Sequence, residues 1–198
     1  MPYYRKMAGE RLYLSPISQQ GTESYLRWMN DREVAIFFGQ YYRTVASKED
    51  LKWLYEPGVD TQRYSIVLNE DDTLIGAISL QNIDHLNRNA FLGIFIGDRE
   101  QRSRGYGTEA IRLLLRYGFS TLNLHNIMLS VNANNTAGIS CFRKAGFKEA
   151  GRRREWIFSD GEYVDRLYMD LLAREFILGC SLLHETLSEN NSLSTKQG

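Results

Sequence analysis

Apolar and polar residues alternate with the period of a β-strand over several stretches of the first half of the chain. The clearest pair flanks the acidic segment Asn69-Glu70-Asp71-Asp72, and this arrangement predicts a hairpin. Helical spacing appears twice before that hairpin, the second time after Ser47-Lys48-Glu49-Asp50, an acidic variant of the capping box. The predicted strands are Glu10–Leu14, Tyr64–Leu68, Leu74–Leu80 and Asn89–Gly97, and the predicted helices are Thr22–Met29 and Ser47–Tyr55.

The second half of the chain alternates helices with strands and closes on a second hairpin. Asn135 and Gly146 bracket one of the helices, and Asp160-Gly161 is the turn signal of the hairpin. This order of elements predicts an α+β fold, a mixed sheet flanked by helices. The predicted helices are Thr108–Phe119 and Thr136–Ala145, and the predicted strands are Asn126–Val131, Arg154–Phe158 and Tyr163–Leu171.

The composition favours one domain with a short tail. The 198 residues are 43% hydrophobic, enough for a single buried core, so we expect one domain over residues 1–187 and a disordered polar tail over 188–198. The 24 Lys and Arg residues balance the 24 Asp and Glu residues, so nucleic acid and membranes are not expected partners. With no apolar run of membrane-spanning length and no signal peptide, we expect a cytoplasmic protein. Cys141 and Cys180 have no neighbouring thiol, so we expect reduced cysteines and no metal site.

The segment that carries most chemical information joins an apolar strand to a helix through a glycine loop. Gly105-Tyr106-Gly107-Thr108 opens the helix, and Arg102 and Arg104 add positive charge just before it. A helix start presents backbone N–H groups to an anion, and glycine lets a ligand approach the backbone closely. The loop therefore predicts a site for a phosphate-bearing ligand, although a helix entry that simply needs glycine has the same sequence.

Two familiar nucleotide motifs fit this loop poorly. A Walker loop needs a lysine after the last glycine, but Thr108 follows Gly107. A dinucleotide-binding loop needs an acidic residue after the next strand, whereas Val131 is followed by Asn132-Ala133-Asn134. A nicotinamide-dependent oxidoreductase remains as a weak alternative.

Several segments together resemble the GNAT superfamily of acyl-CoA N-acyltransferases. The resemblance rests on Arg102-Ser103-Arg104-Gly105-Tyr106-Gly107, on Val131 with Asn135, and on Phe142-Arg143-Lys144-Ala145-Gly146-Phe147. Gly151 and Asp160-Gly161-Glu162-Tyr163-Val164-Asp165 are similar to the branch with ribosomal-protein N-terminal, spermidine and amino-sugar acetyltransferases. The resemblance implies a mostly antiparallel sheet of about seven strands flanked by about four helices, in which the cofactor strand splays from its neighbour.

The resemblance also implies a cofactor and its contacts. Acetyl-CoA is the implied cofactor, and a primary amine (a protein N-terminus, a polyamine or an amino sugar) is the implied acceptor. A backbone N–H near Phe95 would polarise the thioester carbonyl, so Phe95 is counted with the catalytic residues as well. The implied cofactor-binding residues are Ile94, Phe95, Ile96, Arg102, Ser103, Arg104, Gly105, Tyr106, Gly107, Thr108, Asn135 and Phe142.

The chain departs from the family pattern at two chemically important positions. Phe142 stands where many members have a tyrosine that protonates the departing thiolate, and Phe91 stands where a glutamate is often found. We expect Asp84 and His85 to supply the base, with water as the alternative and an exposed turn as their structural role. A catalytically degenerate coenzyme A sensor is therefore the non-enzymatic alternative. The segment Tyr41-Tyr42-Arg43 could line the acceptor pocket or lie in the core, and a homodimer could form through the final hairpin.

Overall fold

An eight-stranded sheet forms the centre of the computed structural model, which describes residues 3–36, 45–56, 58–159 and 161–178. The order of strands across the sheet is β1-β2-β3-β4-β5-β6-β8-β7. The extra strand relative to the prediction is β1, only two residues long. The strands are β1 Met7–Ala8, β2 Leu12–Pro16, β3 Gln62–Leu68, β4 Leu74–Asp84, β5 Asn89–Ile96, β6 Asn126–Asn132, β7 Lys148–Ser159 and β8 Glu162–Leu172.

Helices pack on both sides of this sheet. The predicted helix 47–55 is a 3-10 turn, Glu49–Leu51, followed by a short α-helix. Its acidic capping box is confirmed, because Ser47 N–H donates to the Asp50 carboxylate at 2.8 Å. Residues 173–178 are also helical. The α-helices with defined bounds are α1 Thr22–Asn30, α2 Arg32–Ala35, α3 Lys52–Tyr55, α4 Tyr106–Ser120 and α5 Thr136–Ala145.

One pair of neighbouring strands differs from all the other pairs in the sheet. β5 and β6 run parallel and pair only from Asn89–Asn126 to Phe91–Met128, whereas the other neighbours are antiparallel. Beyond Phe91 the two strands diverge and leave a gap between them. The predicted mixed, mostly antiparallel and splayed α+β sheet is therefore confirmed. A dinucleotide-binding domain would instead need a mainly parallel sheet.

The two faces of the sheet carry different cores. The larger core joins the sheet to α4 and α5 and includes Ile111, Leu114 and Phe142. The smaller core joins the opposite face to α1, α2 and α3 and includes Tyr25, Trp28 and Ala77, with Phe95 packed against it. We call these the α4–α5 face and the α1 face. Because side chains alternate along a strand, each strand residue can be assigned to one of them.

The first half of β7 was not predicted, because the predicted strand begins only at Arg154. β7 is the edge strand, and its register against β8 shifts between Glu149 and Gly151 and again between Arg153 and Ile157. Exposed charged residues on such an edge remove the alternation that marks a strand. Asp160, the segment Tyr41-Tyr42-Arg43, Cys180 and the predicted tail lie outside the described residues. In the described part of the chain, no helix has the length and apolarity needed to cross a membrane.

Candidate functional site

The gap between β5 and β6 exposes the backbone of the second half of β5. Gly97 N–H donates to the Ile75 carbonyl of β4 at 2.9 Å, which fixes the alternation of hydrogen bonds along this pair. By that alternation Phe95 bonds to β4, and the N–H and C=O groups of Ile94 and Ile96 face the gap. The Arg102 Nε–H donates to the Ile96 carbonyl at 3.1 Å, as this alternation requires. The backbone donors nearest Phe95 that face the gap are therefore those of Ile94 and Ile96.

The glycine loop lies at the open end of this gap. Gly105 has φ +86° and Ser103 has φ +61°, so the chain makes a tight left-handed passage just before α4 begins at Tyr106. Only glycine adopts such a φ at no steric cost. The unpaired N–H groups of the first helical turn, together with the helix dipole, provide the predicted environment for an anion.

Arg11 braces the loop from the side of β2. Its guanidinium donates to the Arg104 carbonyl at 3.0 Å and to Glu109 of α4 at 2.9 Å, and it stacks over the Tyr106 ring at 4.8 Å. These contacts connect both sides of the glycine turn to the sheet. The loop geometry is therefore fixed before any ligand binds.

The loop arginines do not have the same surroundings. Arg102 donates to the carbonyls of Ile96 and Gly97 and lies 3.8 Å from the Glu33 carboxylate, so it orders the end of β5. Arg104 is exposed, and no carboxylate of the described residues pairs with its side chain. Of these two arginines, Arg104 has its side chain available for an anionic ligand.

Gly107 and Thr108 bring α4 close to α5. A Cβ on Gly107 would lie 3.3 Å from Cys141 Sγ, and Thr108 Oγ1 is 3.3 Å from the same sulfur. Burial raises the pKa of the Cys141 thiol, and the Thr108 hydroxyl opposes that effect only in part. Cys141 is thus a packing residue, as its sequence context indicated.

Asn135 caps the start of α5, and Phe142 lies within the helix. Asn135 Oδ1 accepts the Gly138 N–H at 2.9 Å and caps the helix, which leaves its amide NH₂ without a partner among the described residues. Phe142 is buried in the larger core and packs edge-on against Phe147. Position 142 therefore supplies no hydroxyl, and its side chain is a core packing residue.

Asp84 and His85 lie in the turn between β4 and β5, at the closed end of the gap. The Asp84 carboxylate accepts N–H bonds from Leu86 and Asn87 and a side-chain bond from Asn87. These bonds, chiefly those from Asn87, lower the pKa of Asp84. A carboxylate that is held by its own turn and has a lowered pKa is a weak proton acceptor. His85 is exposed beside it.

Phe95 contributes its side chain to the α1 face. Its ring packs edge-on against Trp28 at 6.0 Å and Tyr25 at 6.4 Å. Gly97 follows directly under the Trp28 ring, where a Cβ would lie 2.0 Å from Cδ2. The aromatic group therefore fixes the end of β5 next to the loop.

The sequence reading overlooked a polar row on the α1 face. Arg63, Ser79 and Gly93 are direct neighbours across β3, β4 and β5. They line a cavity of about 60 Å³ together with Gln81 and with Trp53 of α3. Arg63 is the one charged residue of β3, and this was the only signal that the sequence offered.

A second overlooked residue on this face is Arg166 of β8, across the gap. Arg166 donates to Ser130 Oγ at 2.9 Å and to Asn132 Oδ1 at 3.0 Å, both on β6. Burial lowers the pKa of Arg166. Nothing in the local sequence of β8 distinguishes it from an ordinary surface arginine.

A larger groove lies on the other side of the sheet, along α5. Its volume is about 640 Å³, and its lining includes Ser140, Arg143, Lys144 and Arg152. Leu167 of β8 forms part of its floor, which places the groove on the α4–α5 face. Of the residues predicted to bind the cofactor, none is among those that line it.

Comparisons with known proteins agree with this geometry. Residues 11–148 match the family "Acetyltransferase (GNAT) domain". The uncharacterized N-acetyltransferase p20 of Bacillus licheniformis is 27% identical over 84% of this chain and 96% of its own length. The putative ribosomal N-acetyltransferase YdaF of Bacillus subtilis is 34% identical over 54% of this chain and 57% of its own.

Solved structures give the same result for the fold. The spermidine N-acetyltransferase of Vibrio cholerae, in complex with CoA and spermine, superposes with a TM-score of 0.77. It is 25% identical and covers 85% of this chain and 99% of its own. Another structure of that enzyme is described as dodecameric. Because the family match spans most of the chain and the splayed sheet agrees with it, this chain belongs to the GNAT acetyltransferases.

Proposed function

We propose that the protein transfers an acetyl group from acetyl-CoA to a primary amine by direct attack within a ternary complex. GNAT acetyltransferases use acetyl-CoA, and a related structure holds CoA. The observation that carries the proposal is the gap between β5 and β6, which opens beside the glycine loop at the start of α4.

The residues around the gap fit this cofactor. The first turn of α4 and the exposed Arg104 would hold the pyrophosphate, because N–H groups and a guanidinium are strong partners for phosphate oxygens. The backbone of Ile94 and Ile96 would bond to the amide groups of the pantetheine arm, as a neighbouring strand would. The NH₂ group of Asn135, whose Oδ1 caps α5, would add one further donor.

Bound acetyl-CoA supplies a thioester, whose thiolate is a good leaving group because its pKa is about 8.5. The chain contributes position and polarisation. The gap-facing N–H groups of β5 would donate to the thioester carbonyl as negative charge develops on it. Since Phe142 has no hydroxyl, we infer that the thiolate leaves without a side-chain acid at this position.

The acceptor amine must lose a proton before it can attack, so its pKa limits which amines can react. At pH 7 a lysine-like amine is neutral in roughly one molecule in 2,500, whereas an α-amine is neutral in roughly one in ten. Because the turn of the chain occupies the Asp84 carboxylate, we propose water or the exposed His85 as the proton acceptor. This arrangement favours an amine of low pKa.

We further infer that the edge of the sheet is suited to self-association. β7 is the last strand, and the side chains of Trp156 and Phe158 are 56% and 48% exposed. Exposed aromatic residues on an open edge favour contact with another strand. The dodecamer of the related enzyme is consistent with this proposal.

Isothermal titration with acetyl-CoA, with NAD as control, tests the cofactor site. We expect acetyl-CoA to bind and NAD not to bind. Arg104→Gln should weaken the binding of acetyl-CoA several-fold, because one charge-assisted contact is lost. Arg116→Gln, which changes an exposed arginine of α4 outside the loop, is the matched control and should bind as the unmodified protein does. If both variants bound acetyl-CoA with equal affinity, Arg104 would not be part of the binding site.

A thiol-release assay in the same samples tests the transfer. We expect release of free CoA thiol that depends on an added amine, with N-terminal peptides and amino sugars compared with spermidine. Binding of acetyl-CoA without amine-dependent release would contradict the proposed transfer.

A further inference from the structure

The α1 face next to the gap carries buried positive charge that the catalytic proposal does not use. The Arg63 guanidinium is half-buried, stacks over the Trp53 ring at 5.0 Å and donates one bond, from Nη1 to the Trp53 carbonyl at 2.6 Å. Its Nε is buried without a hydrogen-bond partner. Burial is the one cause that lowers the pKa of Arg63, and no carboxylate contributes.

A charge removed from water without an ionic partner is unfavourable, so such groups are normally paired. In the described part of the chain, no acidic side chain forms an ion pair with Arg63. The cavity beside it, about 60 Å³ in volume, is lined by the polar side chains of Ser79 and Gln81 and opens over Gly93. An anionic group in that cavity would compensate the charge.

The distance from Arg63 to the gap suits one small molecule. Arg63, Ser79 and Gly93 occupy neighbouring positions on three adjacent strands. Neighbouring strands are about 4.8 Å apart, so the backbone of Arg63 lies about 10 Å from that of β5. A molecule whose amine reaches the gap can therefore place a second group, a few bonds away, beside Arg63.

The opposite side of the gap has the same sign of charge. Arg166 is half-buried on the α1 face, and its bonds go to neutral partners, Ser130 and Asn132. Glu162 and Asp170 are the acidic residues of β8 on this face; Glu162 lies at the exposed start of the strand, and Asp170 accepts a bond from Asn126 at the closed end of the gap. Two desolvated arginines thus flank the opening of the gap, which is unfavourable for a polycation.

We propose that the acceptor carries an anionic group, a carboxylate or a phosphate, in addition to its primary amine, and that Arg63 binds that group. This inference rests on the proposed function and makes it more specific. The gap would receive the amine, and the cavity over Gly93 would receive the anion. Spermidine, which is a polycation, would then be a poor substrate of this protein.

Pairs of acceptors with and without an anionic group test the proposal. An amino acid is compared with its amide, and a hexosamine with its 6-phosphate, in the thiol-release assay, with spermidine as a third class. The value of kcat/KM is referred to the neutral amine, because the two members of a pair differ in amine pKa. We expect the anionic member of at least one pair to exceed its neutral partner and spermidine by at least about tenfold. The pair that shows the difference identifies carboxylate or phosphate.

Variants at position 63 separate binding from packing. Arg63→Gln should lower the ratio of kcat/KM for the anionic acceptor to kcat/KM for the neutral acceptor at least about tenfold. Arg63→Lys should retain much of this ratio. The affinity for acetyl-CoA should not change in either variant. Arg116→Gln, remote from the cavity, is the control. If the role of Arg63 were purely structural, the substitution would lower kcat/KM equally for the anionic and the neutral acceptor, and the ratio of the two values would not change.

The possible failures are distinguishable. Amine-dependent release without preference for an anion, or with spermidine as the best acceptor, overturns the charge proposal and leaves the acetyltransferase proposal intact. An unchanged ratio in Arg63→Gln overturns the role of Arg63. If no acceptor releases thiol, the proposed function fails, and this inference fails with it.

Discussion

Gly97 is a residue at which the addition of a single methyl group is expected to destabilise the fold. A Cβ at this position would lie 2.0 Å from the Trp28 ring, which is 97% buried and packs against Tyr25 and Phe95. Gly97→Ala should therefore lower the free energy of unfolding by about 1 to 3 kcal/mol, as overpacked cores do. Urea denaturation measures this change.

Gly151→Ala is the control for this substitution. Gly151 lies in β7, and no atom is within 4 Å of the position that its Cβ would take. The free energy of unfolding of the Gly151→Ala variant should stay within about 0.5 kcal/mol of the value for the unmodified protein. Equal effects of the two substitutions would show that the Trp28 contact does not restrict residue 97.

Residues differ in how far the sequence could predict their roles. Asn135 and Gly146 are local signals, and both have the predicted capping positions on α5. Arg63 could not be assigned in this way, because its importance comes from Ser79 and Gly93 on other strands. Pairing across a sheet depends on register, which a local pattern does not contain.

At the scale of elements, variants of the N-cap of α5 test stability and the proposed cofactor contact separately. Asn135→Ala removes the acceptor for the Gly138 N–H and should cost about 1 kcal/mol in the free energy of unfolding. Asn135→Ser keeps an oxygen for the cap but loses the amide donors. We therefore expect near-normal stability in Asn135→Ser with weaker acetyl-CoA binding, measured by denaturation and titration. Normal affinity in both variants would limit Asn135 to capping.

The elements themselves were predicted to different extents. α1, α5 and the hairpin of β3 and β4 agree with the predicted segments because each has a clear period and clear end signals. α2 was missed because a helix of four residues makes only about one turn, too short for a repeating pattern of apolar positions. The first half of β7 was missed because charged side chains cover the edge of the sheet.

At the scale of the whole molecule, buried tyrosines make stability dependent on alkaline pH. Burial, and secondly the hydrogen bond to Asp72, raises the pKa of Tyr13 to about 12. Burial also raises the pKa of Tyr25 and of Tyr64. In the unfolded chain these phenols have pKa values of about 10. A raised folded pKa gives a contribution that is complete below pH 10 and is lost as the pH rises toward 12.

Urea unfolding at pH 8, 9, 10 and 11 checks this expectation. The free energy of unfolding should be nearly constant up to about pH 9.5 with respect to these groups and should fall above it. Tyr13→Phe should reduce the slope above pH 10, because one titrating phenol is removed. A slope that is identical with and without Tyr13 would contradict the assignment.

The fold as a whole was more predictable than its site. The order of strands and helices follows from local periods, and the resemblance carried by the glycine loop and by α5 supplied the splayed sheet. The charge of the α1 face was not predictable, because it comes from Arg63 of β3 and Arg166 of β8, which strand pairing places on one face of the sheet on either side of the gap.

The gap also has a consequence for the stability of the fold. Beyond Phe91, β5 ends its pairing with β6 although the sheet continues on both sides, so the sheet is two half-sheets joined by three residue pairs. A ligand whose amide groups occupy this gap takes the place of the missing ladder and binds only the folded chain. If the proposed cofactor binds there, we expect the protein to become harder to unfold as the cofactor concentration rises, so that the lifetime of the folded chain would depend on the supply of its own substrate.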